Sequence, residues 1–250
     1  MLANKRYNLI ADVIRQNGEV SVAELAKNTG VSTETVRRDL LAMENKGLLQ
    51  RVHGGAIAAG EMMPYHELSE RKEENVEEKI EIAKTAARFV EDGDIIFIDS
   101  GTTPVHFAKA IKDRKITAIT YSLEVFSELK AGSARVILLG GEYRSATASF
   151  CGALALASLK NLCVNKAFIY PSAVSLRHGV CDFSLDTYAI QTEILRHADK
   201  VYVVATSNKF ERVALLKICD MEKEYCYVTD NRLKKEYRQL YEENQLNIVT

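Results

Sequence analysis

The chain has no C-x-x-C pair: its five cysteines, at positions 151, 163, 181, 219 and 226, are odd in number and widely scattered. That pattern argues against a zinc cluster or a disulfide framework, and buried reduced thiols are the plain reading. Long apolar runs are missing as well. No window approaches eighteen uncharged apolar residues, and the opening stretch MLANKRYNLIADVIRQNG carries Asp12 and Arg15 where a signal peptide needs an unbroken apolar segment. A cytoplasmic protein with no membrane partner is expected. Internal repeats and low-complexity tracts are absent. Charge of one sign is scarce too, with a formal net charge of −1 over 250 residues. The balance therefore points to a nucleic-acid partner only through where the basic residues sit.

What is present divides at about residue 60. Residues 1–60 hold eight basic and six acidic side chains, a net +2, which leaves −3 for the remainder. Leu9, Ile10, Val13 and Ile14 recur at helical spacing up to the stop signal Asn17-Gly18. Ser21, with Glu24 three residues on, has the spacing of a capping box, and it opens a second helix carrying Val22, Leu25 and Ala26 on its apolar side. After Asn28-Thr29-Gly30, Ser32 is placed to cap a third.

On that third helix Val36, Leu40 and Met43 share one face, while Thr33, Glu34, Thr35, Arg37 and Arg38 fall outside it near the N-terminus. A helix, a Gly-containing turn and a second helix with exposed Thr and Arg make a helix-turn-helix, whose second helix enters the major groove. Arg pairs bidentately with guanine O6 and N7; Ser32, Thr33 and Thr35 suit base or phosphate contacts. Leu48, Leu49, Arg51 and Val52 then read as a strand, Gly54-Gly55 as a turn and Ala56-Ile57 as the return. Such a wing brings Arg51 and His53 toward phosphates or the minor groove.

The stretch VSTETVRRDLLAMENKGLLQRVHGGA resembles the signature of the DeoR family of bacterial transcriptional regulators, V-S-x-x-T-(I/V)-R-R-D-L followed by R-x-H-G-G-A. The resemblance implies a winged helix joined to a C-terminal effector-binding domain.

The rest of the chain fits that division. EMMPYHELSERKEENVEEK, from Glu61 to Lys79, holds seven acids and three bases and reads as a linker running into a helix from about Val76 to Val90. Beyond Gly93, the runs DIIFID, KITAIT, RVILLGG, KAFIY, KVYVVAT, YCYVTD and LNIVT alternate with helical segments. Such an alternation predicts a mostly parallel sheet flanked by helices, with ligands outside the carboxyl ends of the strands. The expected fold class is thus α/β with an all-α (winged helix) N-terminal domain. The expected boundaries are 1–58 for the winged helix, 59–77 for the linker and 78–250 for the effector domain.

Polar residues gather at those strand ends. Asp99, Ser100, Gly101, Thr102 and Thr103 form a Gly-centred strand-to-helix loop suited to an anion, most simply a phosphate. Thr120 and Ser122, Gly140 and Gly141 with Arg144, and Ser207 with Lys209 follow the next runs, the two cations being placed to meet the same anion. The motifs I-D-S-G-T-T, L-L-G-G and S-x-K resemble the effector domain of the same family, which is similar in fold to ribose-5-phosphate isomerase and the coenzyme A transferases. That resemblance implies a phosphorylated sugar or related metabolite as ligand. It also shows departures: Thr120-Tyr121-Ser122 stands for T-N-S, Phe168-Ile169-Tyr170-Pro171 for F-I-G, and Thr206-Ser207-Asn208-Lys209 for D-S-S-K.

The sequence thus reads as a repressor of a carbohydrate-metabolism operon, with no catalytic residue, metal ion or cofactor. Its expected partners are operator duplex DNA, a phosphorylated effector and further copies of itself, since one winged helix reads few base pairs. A rival enzyme reading makes Asp99 a general acid, Glu142 a base and Lys209 an electrostatic stabiliser in a sugar-phosphate isomerase. A structural nucleoid protein is a third, which leaves the polar strand ends without a purpose.

Overall fold

The computed structural model describes residues 6, 7, 9, 10, 13, 14, 19–44, 49–52, 54–58 and 68–250. The chain forms two compact units, Met1–Met63 and Pro64–Thr250. In the first, the described residues of the opening segment are helical, with Ile10 and Ile14 buried. A short strand β1 (Glu19–Ser21) precedes α1 (Val22–Thr29), whose N-cap Ser21 accepts the Glu24 N–H at 3.1 Å as the capping-box spacing requires. The next helix, α2 (Thr33–Glu44), starts where Ser32 Oγ accepts the Thr35 N–H at 3.2 Å.

Strands β2 (Leu49–Val52) and β3 (Gly55–Ala58) form the wing hairpin, with Arg51 opposite Ala56. The sheet has a third member that the sequence pattern did not announce: β1 pairs antiparallel with β3, giving the order β1-β3-β2. At three residues, β1 is too short for alternation to register. The N-terminal unit is therefore not all helical. Leu25, Val36, Leu40, Met43, Leu49 and Ala56 close its core with Ile10 and Ile14.

The second unit opens with α3 (Leu68–Glu73) and α4 (Val76–Ala87), so part of the stretch read as a linker, 59–77, is helical. Its main sheet uses all seven apolar runs: β4 (Ile95–Ile98), β5 (Thr117–Thr120), β6 (Arg135–Leu138), β9 (Val164–Ile169), β12 (Ala198–Val204), β14 (Cys226–Val228) and β15 (Asn247–Val249). Every neighbouring pair is parallel, in the order β15-β14-β12-β9-β4-β5-β6.

Side chains alternate across this sheet and build a core on each face. Ile96, Ile98, Phe168, Tyr202 and Val204 face α4, α5 (Thr102–Ile111) and α6 (Leu123–Leu129). Phe97, Ile119, Ala167, Ile169, Val201 and Val203 face α7 (Ala153–Leu159), α8 (Leu185–Ile194) and α9 (Lys235–Glu243). Phe97 and Phe168 have no exposed surface, so truncating either to Ala costs about 3–5 kcal/mol. Two small antiparallel pieces complete the unit: β7 (Glu142–Arg144) with β8 (Ser149–Cys151), and β10 (Ala173–Ser175), β11 (Gly179–Asp182) and β13 (Leu216–Cys219) in order β10-β11-β13.

The chain leaves β4 toward β5 and β6 on one side, and β9 leads toward β12, β14 and β15 on the other. The carboxyl ends of β4 and β9 therefore flank the switch point, where open α/β sheets form a crevice. All five cysteines are free; Cys163 is exposed rather than buried, while burial pushes the Cys219 thiol up to about 12 and the Cys226 thiol up to about 11.

Candidate functional site

In the N-terminal unit, burial of Val36, Leu40 and Met43 turns the opposite face of α2 outward. Arg37 and Arg38 are 62% and 81% exposed, and their nearest acid is Glu34 at 3.7 and 3.8 Å. Exposed pairs of that kind contribute about 0–1 kcal/mol, so both guanidinium groups are available to a duplex. Thr33 is exposed beside them, whereas the Ser32 and Thr35 hydroxyls lie 2.9 Å apart and serve the helix start. Asp39, next in sequence, turns inward and takes Arg6.

Arg51, exposed on β2, is paired with the end of α2. Its Nε and its backbone N–H both donate to Glu44, each at 2.8 Å, and these bonds hold the Glu44 carboxyl below the usual range, the backbone one most strongly. His53 lies outside the described residues.

At the switch point Asp99 follows β4 directly and is wholly buried. Its Oδ1 accepts the Ser100 N–H at 2.7 Å and the Tyr121 hydroxyl at 2.5 Å. Oδ2 accepts the Tyr170 N–H at 2.9 Å and Gln191 Nε2 at 2.6 Å. Ser100 Oγ donates in turn to the Tyr121 oxygen at 2.9 Å. Burial raises the Asp99 pKa above the ordinary carboxyl value, and these four donors oppose it. Asp99 is thereby sealed: it ties together the ends of β4, β5 and β9 and the helix α8, and it has no free lone pair for a ligand. Tyr121 supplies one of the bonds that seal it.

Other expected ligand contacts carry structural duties too. Thr120 Oγ1 accepts the Ser122 N–H at 3.1 Å, and Ser122 Oγ caps α6 by accepting the Val125 N–H at 3.3 Å. A Cβ at Gly141 would lie 2.4 Å from the Cys151 carbonyl oxygen, so this glycine permits close packing of β7 against β8, with Gly140 preceding it. Arg144 is partly exposed and doubly paired, its Nε meeting Asp186 at 3.0 Å and its Nη1 meeting Glu142 at 2.9 Å.

The loop after β4 and the segment after β12 hold the remaining residues expected to meet an anion. Gly101 sits at φ 125°, which an L side chain rarely adopts, and the helix it opens, with Thr102 and Thr103 in the first turn, has no side-chain cap. Ser207 N–H donates to the buried Asp230 at 2.7 Å, fixing the short 3₁₀ turn Ser207–Lys209. Lys209 Nζ donates to the Pro171 carbonyl at 2.7 Å. Burial pushes this lysine down to about 8; the nearby charges of Arg71 and Lys79 lower it further, while Asp182 and Asp99 oppose them.

Arg71 and Lys79 were not legible as site residues in the sequence, since they lie in the acidic stretch read as linker and helix start. Lys79, on α4, is buried and donates to the Arg71 carbonyl; burial, and then the Arg71 charge against Glu74, moves its pKa below the lysine norm. Among the described residues, Arg71 Nε on α3 is buried without a hydrogen-bond partner. Arg71 and Lys79 thus lie near enough to Lys209 to lower it, with Asp182 and Asp99 opposing them there and Glu74 and Glu78 opposing at Lys79. Glu142, exposed on β7 and bound to Arg144, is no part of this group.

Comparison with known proteins adds to this geometry. Residues 6–61 match the DeoR-like helix-turn-helix domain and residues 74–231 the DeoR C terminal sensor domain. The HTH-type transcriptional regulator IolR of Bacillus subtilis is 34% identical over 247 residues, covering 97% of this chain and 97% of that one. The lactose phosphotransferase system repressor of Lactococcus lactis is 35% identical over 242 residues, 95% of this chain and 94% of the relative. Among solved structures, ribose 5-phosphate isomerase A of Methanocaldococcus jannaschii aligns at 16% identity over 54% of this chain and 55% of that one, with a TM-score of 0.41. A likeness so slight carries no chemistry across.

Proposed function

This chain belongs to the DeoR family of transcriptional regulators, and from that premise we propose which residues read DNA and which receive the effector. The N-terminal unit places α2 in the major groove, with Thr33, Arg37 and Arg38 as its contacts. The second unit binds a phosphorylated sugar or related metabolite, whose phosphate lies among Arg71, Lys79, Lys209 and the uncapped N-terminus of α5. A relative named as a lactose phosphotransferase system repressor supports repression of a carbohydrate operon.

The observation that carries the reading is the trio Arg71, Lys79 and Lys209. Two lysines and an arginine gathered there, with Arg71 Nε buried and without a hydrogen-bond partner among the described residues, suit the negative charge of a phosphate monoester. Binding there shifts operator affinity when the ligand favours one arrangement of the protein, and typical couplings of about 1–3 kcal/mol change affinity roughly 5- to 150-fold. Because one winged helix reads too few base pairs, a homo-oligomer working in the cytoplasm completes the proposal.

The isomerase reading has less support, since Asp99 is sealed by four donors and Glu142 is exposed with Arg144, so no acid–base pair converges. A thermal-shift screen with phosphorylated sugars, inorganic phosphate and the unphosphorylated sugars tests the site. Stabilisation by the phosphate esters, lost in Lys209→Ala, is the expected result; stabilisation that persists in that variant places the anion elsewhere. Turnover of a pentose or hexose phosphate above background would revive the enzyme.

A further inference from the structure

We propose that Glu44 is a positioning residue for DNA reading: it fixes the wing to the recognition helix and withholds Arg51 from the phosphate backbone. The proposal rests on the reading of α2 as the DNA-facing helix. Glu44 is the last residue of α2, and its two oxygens divide their work, Oε1 accepting the Arg51 backbone N–H and Oε2 the Arg51 Nε, both at 2.8 Å.

Among the described residues β2 is an edge strand of the sheet β1-β3-β2, so its outward N–H groups have no strand partner there and need another acceptor. Glu44 supplies that acceptor at Arg51, so its side chain joins the end of α2 to the main chain of the wing. The side-chain bond has the opposite sign for DNA affinity. A guanidinium matched by a carboxylate releases no counterion from a duplex, whereas a freed one would neutralise a phosphate. Wing orientation and restraint of non-specific binding thus lie in one side chain.

The two duties separate by substitution. In Glu44→Gln the amide oxygen still accepts the Arg51 N–H but carries no charge to hold the guanidinium; in Glu44→Ala both bonds are lost. The full chain is titrated with mixed-sequence duplex DNA across a salt series, and amide exchange is followed at Arg51. Glu44→Gln is expected to steepen the dependence of log K on log salt by about 0.9, an extra loss of about threefold between 50 and 200 mM, with the Arg51 amide still protected. Glu44→Ala should show the steeper salt dependence together with faster exchange at Arg51. Adding Arg51→Ala to Glu44→Gln should restore the wild-type slope, which a merely structural role for Glu44 would leave untouched. A wild-type slope in both single variants overturns the proposal. If Glu44→Ala does not fold, the slope of Glu44→Gln still decides it. Arg37→Ala and Arg38→Ala serve as the separate control: if they bind DNA as the wild type does, the assignment of α2 fails whatever Glu44 shows.

Discussion

Arg6 grips Asp39 with a two-pronged ion pair, Nε to Oδ2 at 2.7 Å and Nη2 to Oδ1 at 3.0 Å, joining the first helical segment to the recognition helix. The three charges Arg37-Arg38-Asp39 are adjacent in sequence yet divided in duty, two facing out and one facing in. Removing the Asp39 carboxylate takes both of these bonds from Arg6. Asp39→Ala should therefore lower the unfolding midpoint of the N-terminal unit by several degrees while the transition of the second unit stays in place, as calorimetry of the full chain would show. An unmoved first transition would mean that the pair contributes nothing.

Arg37→Ala and Arg38→Ala act on the outward pair. A variant that loses a base contact should bind its operator about 1–3 kcal/mol more weakly and discriminate less at that position. One that loses a phosphate contact should weaken all sequences alike and reduce the salt slope by about 1. Salt-dependent titrations of operator and random duplexes tell these apart, and unchanged binding by both would remove α2 from the groove.

If the effector phosphate binds at Lys209 as proposed, its affinity should depend on pH. Its proton is held only up to about 8, so phosphate-ester affinity should fall as the pH rises through that value, while Lys209→Arg, charged throughout, should lose the decline. Below about pH 6 affinity falls for a separate reason, because the ester becomes a monoanion. Stability runs the other way: between about 8 and the ordinary 10.5 the unfolded chain binds a proton that the folded one does not, so the free protein gains stability with rising pH there. Calorimetric titration from pH 6 to 9 checks the first statement and thermal unfolding checks the second.

Tyr121→Phe deletes the hydroxyl at 2.5 Å from Asp99 and leaves a buried carboxylate one donor short, a loss of about 1–3 kcal/mol. Burial already raises the Asp99 pKa, and removing this donor raises it further. A carboxyl raised in the folded state costs stability increasingly as pH climbs through its titration. The variant's deficit should therefore be greatest at neutral pH and shrink toward acid. Chemical denaturation at pH 7 and pH 4 measures both, and an equal deficit at the two values would mean that Asp99 stays protonated.

Much of this was legible in advance, for a local reason. The seven strands of the main sheet were visible because strands covered on both faces are continuous apolar runs, and α2 was visible because its buried Val36, Leu40 and Met43 keep helical spacing. The switch-point loop 99–103 and Lys209 were placed for the same reason, since each follows a strand. The short strands β1, β7, β8 and β10 lie in no long apolar run, and three residues are too few to show alternation instead.

The amino-acid order by itself determined the helix-turn-helix, the parallel sheet and the polar rim, because these follow from periodicity and turn chemistry among near neighbours. The tertiary structure alone decided which charged and polar groups remain open. Arg144 met Asp186 and Arg51 met Glu44, and Asp99 was closed off by Tyr121 and by Gln191, ninety-two residues away. Arg71 and Lys79 joined Lys209 only through folding. A side chain's charge is written locally, but its partner is chosen by contacts between distant segments, and on that choice depends whether the charge is spent inside the protein or offered to a ligand.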